Sequence, residues 1–241
     1  VYLTEPNEIS AQINQEIIRS FVRSYVTRKL PGLPTGGVQK LASNLSKGAG
    51  AILIDEPVRK ISRNQIFTDR NRYRFKHLIV ATDYQNAKKF IPKLPTLKFN
   101  GSITYYFSAP KISSEQNLLV VNGNNGLINS GVISNFNPNY APYGKSLISA
   151  TFLTSGKTNL KSVQQQLSKI WKVPASELDM LKRYQIPRSL PKFSTSKLIN
   201  SNQISEEIFL AGDYLVAPSQ QGAMKSGRLA AEAVIKSLKA I

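Results

Sequence analysis

Glu206-Glu-Ile-Phe-Leu-Ala-Gly-Asp213 runs into Tyr214-Leu-Val-Ala-Pro-Ser219 and then into Gln220-Gln-Gly-Ala-Met-Lys-Ser-Gly-Arg-Leu-Ala-Ala231. Ile208 to Ala211 is a short apolar run of the buried-strand type, and it ends in Gly212-Asp213, which sets a carboxylate just past the strand's carboxyl end. In open α/β sheets ligands bind at that edge. After a small-residue loop, Gly222 is expected to open a long helix, with Ala223, Gly227, Ala230, Ala231, Val234 and Leu238 on one face. Unpaired N–H groups in its first turn, together with the positive end of the helix dipole, suit a ligand oxygen carrying partial negative charge. By composition alone the same segment is an ordinary strand–loop–helix unit of any α/β protein.

Upstream, Ile9, Ile13, Ile17, Phe21 and Tyr25 recur at helical spacing, which predicts a helix over 8–28, closed by Pro31, Gly32, Pro34, Gly36 and Gly37. A second helix is expected from Val38 to Lys47. A β-rich stretch follows: a strand at Ala51–Asp55, a hairpin from Val58–Ile61 and Gln65–Thr68, and a longer strand at Tyr73–Ala81. Asp83–Phe90 reads as a short helix. Ser102–Ser108, Leu118–Asn122, Gly131–Asn135 and Leu147–Leu153 read as strands of a mixed or antiparallel sheet. Helices return at Asn159–Trp171 and Glu177–Lys182, and Pro187 to Ser205 reads as a connector. The fold class is α/β with α+β character. Three parts are expected: 1–97, a substrate-type insertion at 98–192, and 193–241, which rejoins the first.

The chain has 241 residues, 41% hydrophobic and 9% aromatic, enough for a sizeable core. Its formal charge is +18. The bases are scattered, so a generally basic surface is expected, and nucleic-acid binding rests on the charge alone. Arg70, Arg72, Arg74 and Lys76 alternate, which on one strand would place all four on one face. With no cysteine, disulfides, thiol catalysis and Cys-type metal sites are excluded, and no metal is expected. His77, the only histidine, reads as a strand-edge residue. No stretch is apolar enough for a membrane-spanning helix, and no signal peptide is visible. A cytoplasmic location is expected, with peripheral membrane association as the variant.

The C-terminal segment resembles the C-terminal cofactor-binding signature of the flavin amine oxidase superfamily, which includes amine oxidases, protoporphyrinogen oxidase and plant-type carotenoid desaturases. Leu33-Pro-Thr-Gly-Gly-Val-Gln-Lys-Leu41 is similar to its Pro-x-Gly-Gly segment before a helix. The segment 51–61, with Glu56-Pro-Val58-Arg-Lys-Ile61, is similar to the strand pair that follows, and Leu78–Thr82 to the strand that closes this part. The resemblance implies bound FAD. Gly212 and Asp213 would lie on its ribityl–pyrophosphate part, Gly222, Ala223 and Met224 near the pyrimidine end of the ring system, and the Val58 backbone on the adenine side. Without cysteine, a cysteine-linked flavin is excluded, and the expected attachment is non-covalent. The implied reaction is hydride transfer from a C–N or C–C bond of a small-molecule substrate. The resemblance assigns no catalytic residue.

One motif of that family is missing from this sequence. Gly-x-Gly-x-x-Gly between a strand and a helix occurs nowhere in it. The expectation is therefore an incomplete Rossmann-like FAD domain, with its β-α-β unit supplied by a further N-terminal segment of the same or a second chain. The competing expectation is a flavin-free binding module that keeps the fold.

Overall fold

The structure is a computed structural model that describes residues 33–113, 119–121, 126–154, 158–192, 199 and 201–239, together with Arg19, Val22 and Val26. The helix expected over 8–28 lies outside the described residues except at those three positions, which are helical and exposed.

The larger core sits under a five-stranded sheet. Its strands are β5 (Phe99–Pro110), β6 (Leu119–Val121), β7 (Leu127–Val132), β8 (Lys145–Leu153) and β9 (Asp179–Pro191), in the order β6-β7-β8-β5-β9. All neighbouring pairs are antiparallel. Alternation decides which face is dry: Ile103, Tyr105, Phe107 and Ala109 of β5 and Ile148, Ala150 and Phe152 of β8 all point into one cluster. The helix α4 (Leu160–Trp171) covers that face with Val163, Leu167 and Trp171, spaced at i, i+4 and i+8. It starts on a capping box, in which Asn159 accepts the Ser162 amide at 2.9 Å. The Trp171 indole donates to the Ser130 hydroxyl at 2.9 Å, which satisfies the one polar atom the ring carries into the core.

The second core is built on two parallel strands, β4 (Leu78–Val80) and β10 (Ile208–Leu210), paired Leu78 to Ile208 and Val80 to Leu210. Val80, Leu210, Tyr214 and Leu215 pack there with Tyr84 and Ala87 of α2 (Tyr84–Phe90), whose Asp83 cap accepts from the Gln85 amide at 3.0 Å. Residues 202–204 close the outer edge of β10, where Leu210 donates to Asn202 at 2.7 Å and Ile204 to Ile208 at 2.8 Å. Among the described residues no strand closes the other edge of β4. The helix α5 (Gln220–Lys239) packs beside β10.

A three-stranded antiparallel meander, β1 (Lys60–Ser62), β2 (Gln65–Phe67) and β3 (Arg72–Arg74), carries the segment that leads to β4. The helix α1 (Gln39–Ser46) precedes it and buries none of its residues.

Several expectations are corrected. Ala51–Asp55 is not a strand; Ile52, Leu53 and Ile54 are 58%, 59% and 79% exposed, and among the described residues no strand pairs with them. Tyr73–Ala81 is two short strands in different sheets, because Phe75, Lys76 and His77 turn the chain between them. Arg72 and Arg74 alone therefore share a strand face, and Arg72 covers the Phe67 ring at 5.6 Å. The helix expected at Glu177–Lys182 is instead a 3-10 turn, Ala175–Glu177, and the start of the long strand β9, which runs on through Pro187–Pro191 of the expected connector; residues 193–198 and 200 of that connector lie outside the described residues. Backbone pairing with β5 outweighs the local helical spacing there, and its two register shifts leave Leu181 and the stretch Pro187, Arg188 and Ser189 outside the paired register. At Gly131–Asn135 the strand β7 ends at Val132, and α3 (Ile133–Phe136) follows.

Candidate functional site

The site begins at the carboxyl end of β10. Parallel pairing with β4 fixes the direction of Ile208–Leu210, and Ala211 extends the ladder by donating to Val80 at 3.0 Å. Gly212 then has extended backbone that any residue could adopt, so conformation does not explain the glycine. Packing does: a Cβ there would land inside the Tyr214 ring. Tyr214 is buried, set edge-on to Tyr84 at 5.0 Å, and it donates to the Ala211 carbonyl at 3.3 Å. Burial, reinforced by the Asp213 charge, pushes its phenol well above the ordinary value, so it stays a neutral structural donor.

Asp213 is half-buried beside this ring. Burial pushes its carboxyl above the ordinary value, and the Tyr214 and Asp213 backbone amides that donate to it offset part of that push. The result is a partly desolvated acceptor suited to a hydroxyl donor.

Across the loop, Ser219 starts α5. Its carbonyl accepts the Ala223 amide at 2.9 Å and its hydroxyl accepts the Gly222 amide at 3.0 Å. A Cβ on Gly222 would land on the Ala217 carbonyl oxygen, so glycine is what lets the loop cross the helix start. The buried residues of α5 are Gly222, Ser226 and Ala230; of the expected face Ala230 is buried, Gly227 and Val234 are half-buried, and Ala223, Ala231 and Leu238 are exposed. The Ser226 hydroxyl accepts the Gly212 amide at 3.0 Å and joins the helix to the strand end. Ala223 and Met224 are turned outward; Met224 is 40% exposed. The Gln220 and Gln221 amides find no partner among the described residues.

Gly212, Asp213 and Gly222 are thus brought together, with Ala223 and Met224 on the exposed side of the same helix turn. Val58 lies apart, half-buried at the entry to the meander. Sequence reasoning missed Ser219 and Ser226. A serine three residues before Gly222 is an N-cap signal that could have been read, whereas Ser226 shows itself only once the helix is rotated to its true face. Glu56 was also missed: its Oε1 accepts from Asn71 Nδ2 at 2.7 Å, Tyr73 at 2.8 Å and Thr68 at 2.9 Å. Those bonds, with the Asn71 one largest, hold its carboxyl below the ordinary value.

The residues present fit a flavin on one side. They offer first-turn amides, an exposed apolar helix turn and a carboxylate acceptor at a strand end. Among the described residues no group of three or more His, Asp or Glu could hold a metal ion, and no helix is long and apolar enough to cross a membrane.

Comparison with known proteins gives the same direction. Residues 16–235 match the sequence profile described as Flavin containing amine oxidoreductase. The fold is similar to that of an oxidoreductase from Methanosarcina mazei, with TM-score 0.59 and 15% identity over 83% of this chain and 54% of that one. It is also similar to wild-type putrescine oxidase bound to putrescine, with TM-score 0.61 and 14% identity over 83% of this chain and 53% of that one. Reduced UDP-galactopyranose mutase gives TM-score 0.64 and 11% identity over 87% of this chain and 53% of that one. The chain therefore spans about half the length of these structures. None of the curated proteins matches it.

Proposed function

Because the chain belongs to the flavin containing amine oxidoreductase family, we propose that it builds one side of a non-covalent FAD site in an oxidoreductase. The observation that carries this is the joint of strand end and helix start, where Ser226 ties Gly212 to α5 and Gly222 lets the loop cross beneath it. When bound, a flavin would supply the two-electron oxidising chemistry for a C–N or C–C single bond of the substrate, taking up the hydride that leaves its carbon. The chain's own part is to bind and orient. Asp213 accepts a hydroxyl of the ribityl–pyrophosphate part. The first turn of α5, at Gly222, Ala223 and Met224, faces the pyrimidine end, where its dipole stabilises negative charge. Val58 contributes backbone groups to the adenine side.

The segment 98–192 is assigned to a small-molecule substrate, with 1–97 and 193–241 on the cofactor side. A β-α-β unit from the same or a second chain completes the parallel sheet. Among the described residues the edge of β4 is open and the strand-type run Ile52–Ile54 lies exposed without a partner, and both, with the half-length span, support that reading. Three apolar side chains of that size left in water forgo roughly 1.5–3 kcal/mol each, which a covering unit would recover.

Reconstitution tests the proposal. Full-length protein purified with added FAD is expected to hold it after gel filtration and to release it intact on denaturation. Protein that emerges colourless and leaves FAD fluorescence unchanged would refute it.

A further inference from the structure

Val58 sits between two anchored neighbours, and its own peptide groups are free. Among the described residues neither its amide nor its carbonyl has a hydrogen-bond partner. On one side, Glu56 receives three hydrogen bonds on a single oxygen, from Thr68 and Asn71 in the β2–β3 turn and from Tyr73 on β3. On the other, Arg59 donates from Nε to Asp69 at 2.9 Å and from Nη2 at 2.7 Å, in the same turn. The Arg59 amide also donates to the Phe67 carbonyl at 2.8 Å. Asp55, just before the clamp, takes a φ of 56°, a left-handed conformation unusual for a residue with a side chain. Such backbone persists only where surrounding contacts hold it.

All of this ordering falls on a surface segment in which Asp55, Pro57 and Arg59 are exposed. It serves no core. Its geometric product is one fixed peptide edge with a free donor and a free acceptor. Adenine carries the complement on one edge, an exocyclic amino donor beside a ring-nitrogen acceptor.

We infer that Glu56, with the Arg59–Asp69 pair, is a positioning residue that holds the Val58 peptide in the geometry that reads the adenine of the cofactor. This rests on the FAD reading and deepens it. Glu56 contributes more than the ion pair, because a solvent-exposed pair adds little on its own, whereas three donors converging on one oxygen leave the loop a single arrangement.

The test uses the full-length protein freed of flavin. FAD, ADP (adenine without flavin) and FMN (flavin without adenine) are titrated separately against wild type, Glu56→Gln and Glu56→Leu. Loss of a charge-assisted network predicts about tenfold weaker FAD and ADP binding for Glu56→Leu, with FMN within about twofold. Glu56→Gln, which keeps an acceptor oxygen, should lie between. Tyr73→Phe and Asn71→Ala remove one donor each and should give smaller losses in the same two ligands, so the outcome does not hang on Glu56→Leu folding. ADP binding that is unchanged, or FMN binding that falls together with ADP, would overturn the inference while leaving the flavin reading intact. Wild type that binds none of the three would instead sink the flavin reading, and this inference with it.

Discussion

Ser226 and Gly222 carry the joint between strand and helix, and their substitutions separate packing from cofactor chemistry. Ser226→Ala leaves the Gly212 amide without its partner, which predicts a loss of about 1–2 kcal/mol, read as a lower urea midpoint with an unchanged slope. Gly222→Ala drives a methyl onto the Ala217 carbonyl and predicts a larger loss, roughly 2–3 kcal/mol. Asp213 makes a prediction of opposite sign. Its carboxyl is raised in the folded state, so the fold favours its protonated form. The corresponding stability is present below the ordinary aspartate pKa and drains away as pH rises through the raised value. Flavin-free Asp213→Asn should therefore melt higher than wild type at neutral pH and no higher at strongly acid pH, while binding FAD more weakly. A wild-type advantage at neutral pH without cofactor would contradict the burial argument.

Among the elements, α4 offers a clean test of local structure. It ends on Lys172 in the left-handed conformation, at φ 54° and ψ 40°, where glycine has no Cβ penalty. Lys172→Gly should stabilise by about 0.5–1 kcal/mol in chemical denaturation, since the terminus is already in the conformation glycine prefers. The same scale shows what could be read from residue order. Where a segment made its own case, the expected element formed: the helices read at Asp83–Phe90 and Asn159–Trp171, the runs at Ser102–Ser108 and Leu147–Leu153 that became β5 and β8, and the Gly212-Asp213 strand end. Expectation failed where partners decide. Asp179–Lys182 has helical spacing but lies in β9 because β5 offers a long ladder. Ile52–Ile54 has strand composition but, among the described residues, no strand beside it. The phase of α5 depends on which side meets β10, which only the packed structure fixes. For the site, the strand-end Gly-Asp was visible, while the Glu56 network was not, since its donors lie 12 to 17 residues away on a turn whose geometry comes from pairing.

At the scale of the whole molecule, the described residues form two dry cores and leave several large apolar side chains uncovered between residues 41 and 79. Leu41, Leu45, Ile52, Leu53, Ile54 and Ile79 are all exposed, at 38–79%. Isolated soluble domains seldom leave so much large apolar surface in one region of the chain. The span 1–241 expressed alone should bind the hydrophobic dye ANS and self-associate, and co-expression with a β-α-β unit from the full-length sequence should suppress both. Dye binding that is the same with and without the added unit would argue against a covering segment. The central claim, that this chain forms half of a flavin site, is tested most directly by the visible absorbance of the full-length protein after desalting. The expected result is an oxidised-flavin spectrum that bleaches on anaerobic reduction, at close to one FAD per chain. A protein that is colourless as isolated and remains so after incubation with excess FAD would contradict it.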